Sequence, residues 1–276
     1  MRRFLLCTDL DRTLIPNGRQ IESPGARERF NRLVERGEIS LAYVTGRHRA
    51  LIEQAIADYA LPLPDFVIAD VGSTIYRIDA GGWRQWAAWD TQISPDWGGF
   101  SHDELCRILC VFPMLRLQEE AKQGRHKLSF YAPLQTEVSV LLADMEVRLQ
   151  QAGIRANLIW SIDEPAGIGL LDVLPASANK LHAIHFLIRQ MNYELAETVF
   201  AGDSGNDLEV LVSDVPAVLV ANADLEVRRR AVSAHKEALY IAEGGYLGMN
   251  GNYSAGILEG VAHYWPEADR WLREMD

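Results

Sequence analysis

The sequence predicts an α/β protein, a doubly wound parallel sheet with a smaller α+β unit inserted into it. Short apolar runs alternate with helical patterns toward both ends of the chain, which is typical of parallel strands joined by helices. Between residues 83 and 170 this rhythm breaks, which indicates a separate unit. The runs predicted to form the parallel sheet are RFLLCTDL, ISLAYVTG, DFVIADVG, LLDVLP, TVFAGDS and PAVLVANA.

The two connections between the first three runs have the spacing of amphipathic helices. Apolar side chains recur there every three or four residues, so one face of each helix can pack on the sheet. Gly37 closes the first pattern, because glycine readily adopts the left-handed conformation in which helices end. The apolar residues are Phe30, Leu33 and Val34 in the first connection and Leu51, Ile52, Ala55, Ile56 and Tyr59 in the second.

The inserted unit has elements of its own. Ser101 and Glu104 form a capping-box pattern at the start of a helix, and residues 138–149 have the spacing of a second helix. The runs KLSFYAPL and ANLIWSI predict strands. The insert is therefore expected to be a packed α+β lid on short hinges.

These patterns set the predicted domain boundaries. Residues 1–82 and 171–276 are assigned to the catalytic core, and residues 83–170 to the insert. The start of the insert is rich in tryptophan, and aromatic residues near a domain junction are mostly packing residues. Trp83, Trp86 and Trp89 are expected to pack in this way.

Composition limits the classes of function. The chain has 276 residues, of which 48% are hydrophobic, enough for a sizeable core. A net charge of -11 argues against a nucleic-acid or anionic-membrane binder, because such proteins need a broad cationic surface. No run is long enough to span a membrane, and three cysteines make a disulfide framework improbable, so a cytoplasmic setting is expected. Cys106 and Cys110 are expected to share the buried face of a helix.

Polar residues follow the apolar runs at four places. In open α/β sheets, ligands bind at the carboxyl ends of the strands, so these residues should converge. Three carboxylates can hold Mg²⁺, and a hydroxyl with an ammonium can hold phosphate oxygens, which together suit phosphoryl transfer. The four sets are Asp9, Asp11 and Thr13; Thr45, Gly46 and Arg47; Asn179 and Lys180; and Asp203, Ser204, Asn206 and Asp207.

DLDRT, VTGR, the isolated Lys180 and GDSGND, in this order, resemble the four motifs of the haloacid dehalogenase-like phosphatase superfamily. The insert lies between the second and third motifs, as the α+β cap does in the sugar-phosphatase branch. Within that branch, KLSFY, DVLP and the late SAGILEGVAHY are similar to sucrose-phosphate phosphatases. The resemblance covers nearly the whole chain and implies a Rossmann-like core with a specificity-determining cap.

The resemblance implies a role for each motif residue. Asp9 would attack phosphorus and become an aspartyl phosphate, and Asp11 would protonate the leaving sugar oxygen and later accept a proton from water. Thr45 and Lys180 would bind the phosphate. The metal set would be Asp9, the main-chain carbonyl of Asp11, Asp203 and Asp207, where Asp207 supports the metal shell or orients Lys180.

Other positions are predicted to meet the substrate. The resemblance places Lys127, in HKLSFY, on the sugar, although an edge-strand lysine is the equal alternative. Gly72 and Ser73 lie at the end of the third predicted core strand, DFVIADVG, and are also expected to meet the substrate. The full predicted substrate-binding set is Thr13, Gly46, Arg47, Gly72, Ser73, Lys127, Ser204 and Asn206.

The resulting prediction is a Mg²⁺-dependent phosphomonoesterase acting on a sugar phosphate, with sucrose 6-phosphate favoured. Mannosylfructose phosphate, glucosylglycerol phosphate and a hexose phosphate are the alternatives, and association with a sugar-phosphate synthase is a further expectation. From other classes, the alternatives are a phosphorelay receiver, a non-catalytic sugar-binding module and a serine protease with Ser204 as nucleophile. A receiver needs neither a second acid nor an insert, and alternating strands and helices do not suit the protease fold.

Overall fold

The computed structural model describes residues 3–163 and 166–275, and it divides into two compact units. The core unit comprises Met1–Gln85 and Lys180–Asp276, and the insert comprises Trp86–Asn179. The predicted boundaries were three residues earlier at the first junction and nine earlier at the second. Among the described residues, no helix is both long enough and apolar enough to cross a bilayer.

The core unit is built on an eight-stranded sheet. Six strands are parallel, in the order β12-β11-β10-β1-β2-β3, and an antiparallel pair, β4 and β5, extends the β3 edge. This confirms the predicted doubly wound α/β fold, although the antiparallel pair and β12 were not predicted. The strands are β1 Phe4–Thr8, β2 Ile39–Val44, β3 Phe66–Ala69, β4 Thr74–Asp79, β5 Gly82–Gln85, β10 Thr198–Gly202, β11 Ala217–Leu219 and β12 Leu239–Ile241.

Helices cover the core sheet and bury its central strands completely. Every residue of β1 and β10 is buried, as expected for strands packed on both faces. The sequence changes direction along the sheet at β1, because β2 and β3 lie on one side of it and β10 on the other. The helices are α1 Ala26–Val34, α2 Arg49–Asp58, α6 Lys180–Met191, α7 Leu208–Leu211, α8 Leu225–Ser233, α9 Ser254–Tyr264 and α10 Pro266–Arg273.

The insert has a four-stranded antiparallel sheet in the order β6-β7-β9-β8. Ser101 caps α4 with the predicted capping box, since its hydroxyl accepts from the Glu104 N–H and the Glu104 carboxylate accepts from the Ser101 N–H. The elements are α3 Ala87–Ile93, α4 His102–Leu109, β6 Arg116–Leu117, β7 Leu128–Ala132, α5 Val138–Gln151, β8 Ala156–Asp163 and β9 Ile168–Pro175.

Two local predictions are wrong. LLDVLP was predicted to be a parallel core strand, but it lies in β9, which pairs antiparallel with β7 and β8. A short continuous apolar run looks the same in either kind of sheet, so the pattern alone cannot separate them. Cys106 is only half-buried and Cys110 is exposed, so they do not share a buried helix face; α4 ends at Leu109, and the two Sγ atoms lie 3.1 Å apart.

The tryptophans at the junction serve packing. Trp89 is a fully buried residue of α3, and Trp97, in the turn that follows, lies in the hydrophobic core of the insert. Trp83 makes an edge contact with Tyr76, with ring centroids 5.5 Å apart, and packs on the core cluster.

Candidate active site

The functional residues gather at the carboxyl ends of the central core strands. Asp9 follows β1 directly, Thr45 follows β2 and Asp203 follows β10. This is where the strand order reverses, the usual ligand position in open α/β sheets. A cavity of about 290 Å³ opens there, lined by Asp9, Asp11, Arg12, Gly46, Arg47, Leu51, Asp203, Ser204 and Asn206.

Three buried carboxylates lie together in this site, and one buried lysine contacts two of them. Lys180 Nζ lies 2.7 Å from Asp207 Oδ1 and 3.3 Å from Asp9 Oδ1. Asp203 is fully buried next to them, with Arg12 Nε 3.3 Å from its Oδ2. The sequence prediction that these side chains converge is therefore confirmed by the geometry.

Burial and mutual repulsion perturb the acids. Burial raises the pKa of Asp9 well above its usual value; Lys180 opposes the shift, while Asp207 and Asp203 add to it. Burial and then Asp207 raise the pKa of Asp203 to about 7. For Lys180 burial would lower the pKa, but the carboxylates of Asp207 and Asp9 outweigh it and raise the pKa. The cluster carries more negative charge than its lysine offsets.

Asp207 organises the loop more than it faces the cavity. Its Oδ2 accepts hydrogen bonds from the backbone N–H groups of Asp203 at 3.0 Å and Ser204 at 3.1 Å, and its Oδ1 holds Lys180. Gly202 makes room for it, because a Cβ there would lie 2.6 Å from Asp207 Cγ. Of its two predicted roles, orienting Lys180 is the one these contacts support.

The carboxylates fit a hard divalent cation. Asp9, Asp203 and Asp207 each offer an oxygen within 4.8 Å of the others. Asp203 Oδ2 is buried and accepts no hydrogen bond from any described residue. Oxygen ligands and excess negative charge suit Mg²⁺, and a bound cation would reverse the repulsion that raises these pKa values. The Asp11 side chain is not part of this group, and metal binding by its main-chain carbonyl stays a prediction.

Asp11 is held by its neighbours in a bidentate pair. Arg47 Nε donates to Asp11 Oδ2 at 2.8 Å and Arg47 Nη2 donates to Oδ1 at 2.6 Å, while Asn17 Nδ2 donates to Oδ1 at 2.7 Å. Burial would raise the pKa of Asp11, but the Arg47 hydrogen bonds and charge outweigh it and lower that pKa. Arg47, predicted to bind substrate, thus holds the ionised acid in this state.

Some of the other predicted site residues lie at the cavity, and others support its carboxylates. Thr45 is buried, with its Oγ accepting from the Arg47 N–H at 3.2 Å, and Gly46 lines the cavity beside it. Thr13 is also buried and donates to Asp203 Oδ1 at 3.0 Å, so it positions a carboxylate instead of facing the cavity. Ser204 donates to Asn206 Oδ1 at 2.8 Å.

Three predicted substrate residues of the core unit, Thr13, Gly72 and Ser73, are not among those that line the cavity. Gly72 and Ser73 lie in the turn after β3, where Gly72 has φ +101 and Ser73 is buried with its hydroxyl on the Asp70 carbonyl at 3.0 Å. Lys127 belongs to the insert, where its Nζ is 4.0 Å from Asp172 Oδ1.

Sequence reasoning missed Arg12 and Asn17. Arg12 Nη2 donates to Asp224 Oδ1 at 2.6 Å, and Asn17 bonds to Asp11. Pro16-Asn17-Gly18 is a turn signal that marks a loop next to the first motif, but it does not reveal which carboxylate the asparagine meets.

The fold and the site define a phosphoric monoester hydrolase of the haloacid dehalogenase-like superfamily. The chain belongs to the sucrose-6F-phosphate phosphohydrolase family, whose model matches residues 2–265. The resemblance given by the four motifs is thereby confirmed.

Known proteins similar to this chain include enzymes with different substrates. A HAD-like hydrolase of Nitrosococcus oceani is 54% identical, over 98% of this chain and 74% of its own. A mannosylfructose-phosphate phosphatase of Agrobacterium fabrum is 26% identical, over 94% of this chain and 96% of its own. The solved sucrose-phosphatase of Synechocystis, in complex with sucrose and phosphate, is 28% identical with a TM-score of 0.73, covering 96% of this chain and 98% of that one. The chain spans 52% to 60% of the length of the plant sucrose-phosphatases it matches.

Proposed function

We propose that the protein is a Mg²⁺-dependent sugar-phosphate phosphatase that hydrolyses sucrose 6-phosphate to sucrose and phosphate. The observation that carries the proposal is the buried cluster of Asp9, Asp203, Asp207 and Lys180 at the end of the central strands. Membership of the sucrose-6F-phosphate phosphohydrolase family and the likeness to a sucrose-bound phosphatase support the sugar.

Asp9 would act as the nucleophile. Its Oδ1 accepts from the Leu10 N–H at 2.8 Å and lies near Lys180, whereas no described residue donates a hydrogen bond to its Oδ2. Oδ2 would form the new bond to phosphorus as the bond from phosphorus to the sugar oxygen breaks. Water would then attack the aspartyl phosphate and release phosphate, which regenerates the Asp9 carboxylate.

Asp11 would serve as acid first and base second. It gives a proton to the departing sugar oxygen and later takes one from the attacking water. In the observed contact with Arg47 it is ionised, the form needed for the second step. A bound phosphate would attract the same guanidinium, and weakening of the Arg47 pair would favour the protonated form needed for the first step.

The remaining site residues would bind the phosphoryl group and the metal ion. Lys180, which contacts both Asp9 and Asp207, and the Thr45 hydroxyl would bind the phosphoryl oxygens on which charge spreads in the transition state. When bound, Mg²⁺ would supply positive charge next to the phosphate and offset that of the carboxylates. Asp203, held by Thr13, is the residue best placed to bind it together with Asp9.

The experiment is phosphate release with and without Mg²⁺ across sucrose 6-phosphate, mannosylfructose phosphate, glucosylglycerol phosphate and hexose phosphates. A sharp preference for sucrose 6-phosphate that disappears in Asp9→Asn supports both reaction and substrate. A preference for mannosylfructose phosphate, the substrate named for one relative, would keep the reaction and replace the sugar. Release that does not depend on Asp9 would contradict the mechanism. The cytoplasmic setting and the association with a synthase stay predictions.

A further inference from the structure

Asn17 uses both ends of its carboxamide next to the proposed acid. Its Nδ2 donates to Asp11 Oδ1 at 2.7 Å, and its Oδ1 accepts from the Arg12 N–H at 2.8 Å. These partners are neighbours in the chain, so one side chain fixes the Asp11 carboxylate and the peptide group that follows it. Exchanging the amide oxygen and nitrogen would set donor against donor and acceptor against acceptor, so the contacts settle its orientation.

The peptide that Asn17 fixes is in an uncommon conformation. Arg12 has φ +58, in the left-handed region that residues other than glycine rarely adopt. Its N–H is taken by Asn17, and its carbonyl accepts from Asn222 Nδ2 at 2.6 Å. Two asparagines from distant parts of the sequence therefore hold this residue, and with it the direction in which the chain leaves Asp11.

The loop that carries Asn17 is itself held. Gly18 passes so close to Tyr253 that a Cβ would lie 2.7 Å from its hydroxyl oxygen. The Tyr253 hydroxyl donates to the Gln20 carbonyl at 3.2 Å, and the Asn17 N–H donates to the Ile15 carbonyl at 2.9 Å. The Asn17 side chain is exposed, so replacing it removes polar contacts and no core packing.

Asn17 and Arg47 hold Asp11 in different ways. Arg47 is charged and lines the cavity, so a bound phosphate competes with Asp11 for it. Asn17 is neutral and has no comparable attraction to phosphate. It is therefore the donor that can keep Asp11 oriented while Arg47 turns to the substrate.

We propose that Asn17 is a positioning residue that aims Asp11 at the leaving oxygen, an inference that rests on the proposed phosphatase function. The step it assists is the transfer of the Asp11 proton to the sugar oxygen while the bond from that oxygen to phosphorus breaks. An alkoxide needs this proton, whereas p-nitrophenolate leaves without one. Loss of Asn17 should therefore slow the hydrolysis of a sugar phosphate more than that of p-nitrophenyl phosphate.

The test compares two substrates in the wild-type enzyme and four variants. Asn17→Ala removes both hydrogen bonds, Asn17→Asp keeps an acceptor for the Arg12 N–H but cannot donate as a carboxylate, and Arg19→Ala is an exposed control from the same loop. With the best sugar phosphate of the panel, both Asn17 variants should lose about ten- to a hundredfold in kcat, with KM within about twofold. With p-nitrophenyl phosphate the loss should stay below about threefold.

Asp11→Asn is the reference variant, because it removes the acid itself. Its loss of kcat should depend on the substrate in the same way and be larger than that of the Asn17 variants. Equal losses of the Asn17 variants on both substrates, or wild-type kcat on the sugar phosphate, would overturn the role of Asn17. A lower thermal midpoint accompanied by such equal losses would mean a purely structural residue. Wild-type enzyme inert toward every sugar phosphate would instead overturn the proposed function, so the two failures are distinguishable.

Discussion

Both units bury aspartates, and they treat the charge in opposite ways. In the insert, Asp96 is buried but accepts hydrogen bonds from the Arg155 guanidinium and from both the N–H and the hydroxyl of Ser177. In the core, three buried aspartates lie together and Lys180 contacts two of them. In the insert, hydrogen-bond donors surround the buried carboxylate of Asp96. In the core, the buried carboxylates carry more negative charge than Lys180 offsets.

This difference indicates that the active site of the core unit lowers the stability of the fold, whereas the buried acid of the insert does not. A buried acid with several donors supports the fold, whereas like charges buried together destabilise it unless a cation or substrate joins them. The raised pKa values of Asp9 and Asp203 have this origin, since burial and the neighbouring carboxylates act in the same direction. The core and the insert both bury carboxylates, and what distinguishes the core is that its buried charges are not balanced.

The largest expected effect tests this contrast with one substitution in each unit. Asp9→Asn should reduce phosphate release by at least about a thousandfold, because the nucleophile is lost. It should leave the free energy of unfolding unchanged or higher, because one of the repelling charges is gone. Asp96→Asn should lower that free energy by about 1–3 kcal/mol, because it disturbs satisfied hydrogen bonds.

Phosphate assays with Mg²⁺ present, and urea unfolding in Mg²⁺-free buffer, check this pair. Near-normal activity in Asp9→Asn would refute the covalent mechanism. If both substitutions destabilise the protein equally, the contrast between the two units does not hold.

The second expected effect concerns Lys180, the buried lysine of the core cluster. Lys180→Met should destabilise the protein by about 3 kcal/mol, because the carboxylates of Asp9 and Asp207 lose their buried partner. Activity should fall by about a hundredfold or more as a phosphate-binding charge disappears. Millimolar Mg²⁺ should restore part of the stability, because a ligand that binds only the folded state stabilises it.

Urea unfolding with and without Mg²⁺ measures these changes. The matched control is Arg229→Met, which removes an exposed helical pair with Glu226 and should change stability by less than about 0.5 kcal/mol. Equal effects of the two substitutions would mean that the buried lysine does not balance the cluster.

A smaller effect is expected from Gly202→Ala. Its Cβ would lie 2.6 Å from Asp207 Cγ, so Asp207 and the loop hydrogen bonds that it accepts must shift. Displacement of this order should reduce kcat/KM by about a hundredfold or less and raise the Mg²⁺ concentration for half-maximal activity. Gly205→Ala is the control, because nothing lies within 4 Å of a Cβ there. A Mg²⁺ requirement that stays at the wild-type value would argue against Asp207 shaping the metal site.

The smallest effect is expected in the insert. Lys127→Ala should reduce kcat/KM for a sugar phosphate by about tenfold while leaving hydrolysis of p-nitrophenyl phosphate unchanged, if Lys127 contacts the sugar. Arg125→Ala, an exposed neighbour, provides the control. Equal losses on both substrates would assign Lys127 to the fold, in line with its position 4.0 Å from Asp172.

The sequence by itself determined the fold class and the core of the candidate site. Buried parallel strands need continuous apolar runs, and chemistry at their ends needs polar residues directly after them, so RFLLC followed by Asp9 carries both signals. The capping box at Ser101 was equally readable, because its two hydrogen bonds are local in the chain. Each of these features is written within a few consecutive residues.

Only the tertiary structure decided the partners of these residues. Asn17 meets Asp11 and Arg12, Asn222 reaches Arg12 across 210 residues, and Thr13 supports Asp203 across 190. The same holds for LLDVLP, whose sheet depends on which strands lie beside it. Sequence pattern reports how a segment divides between apolar and polar surroundings, whereas pairing between distant segments depends on the packing of the whole unit.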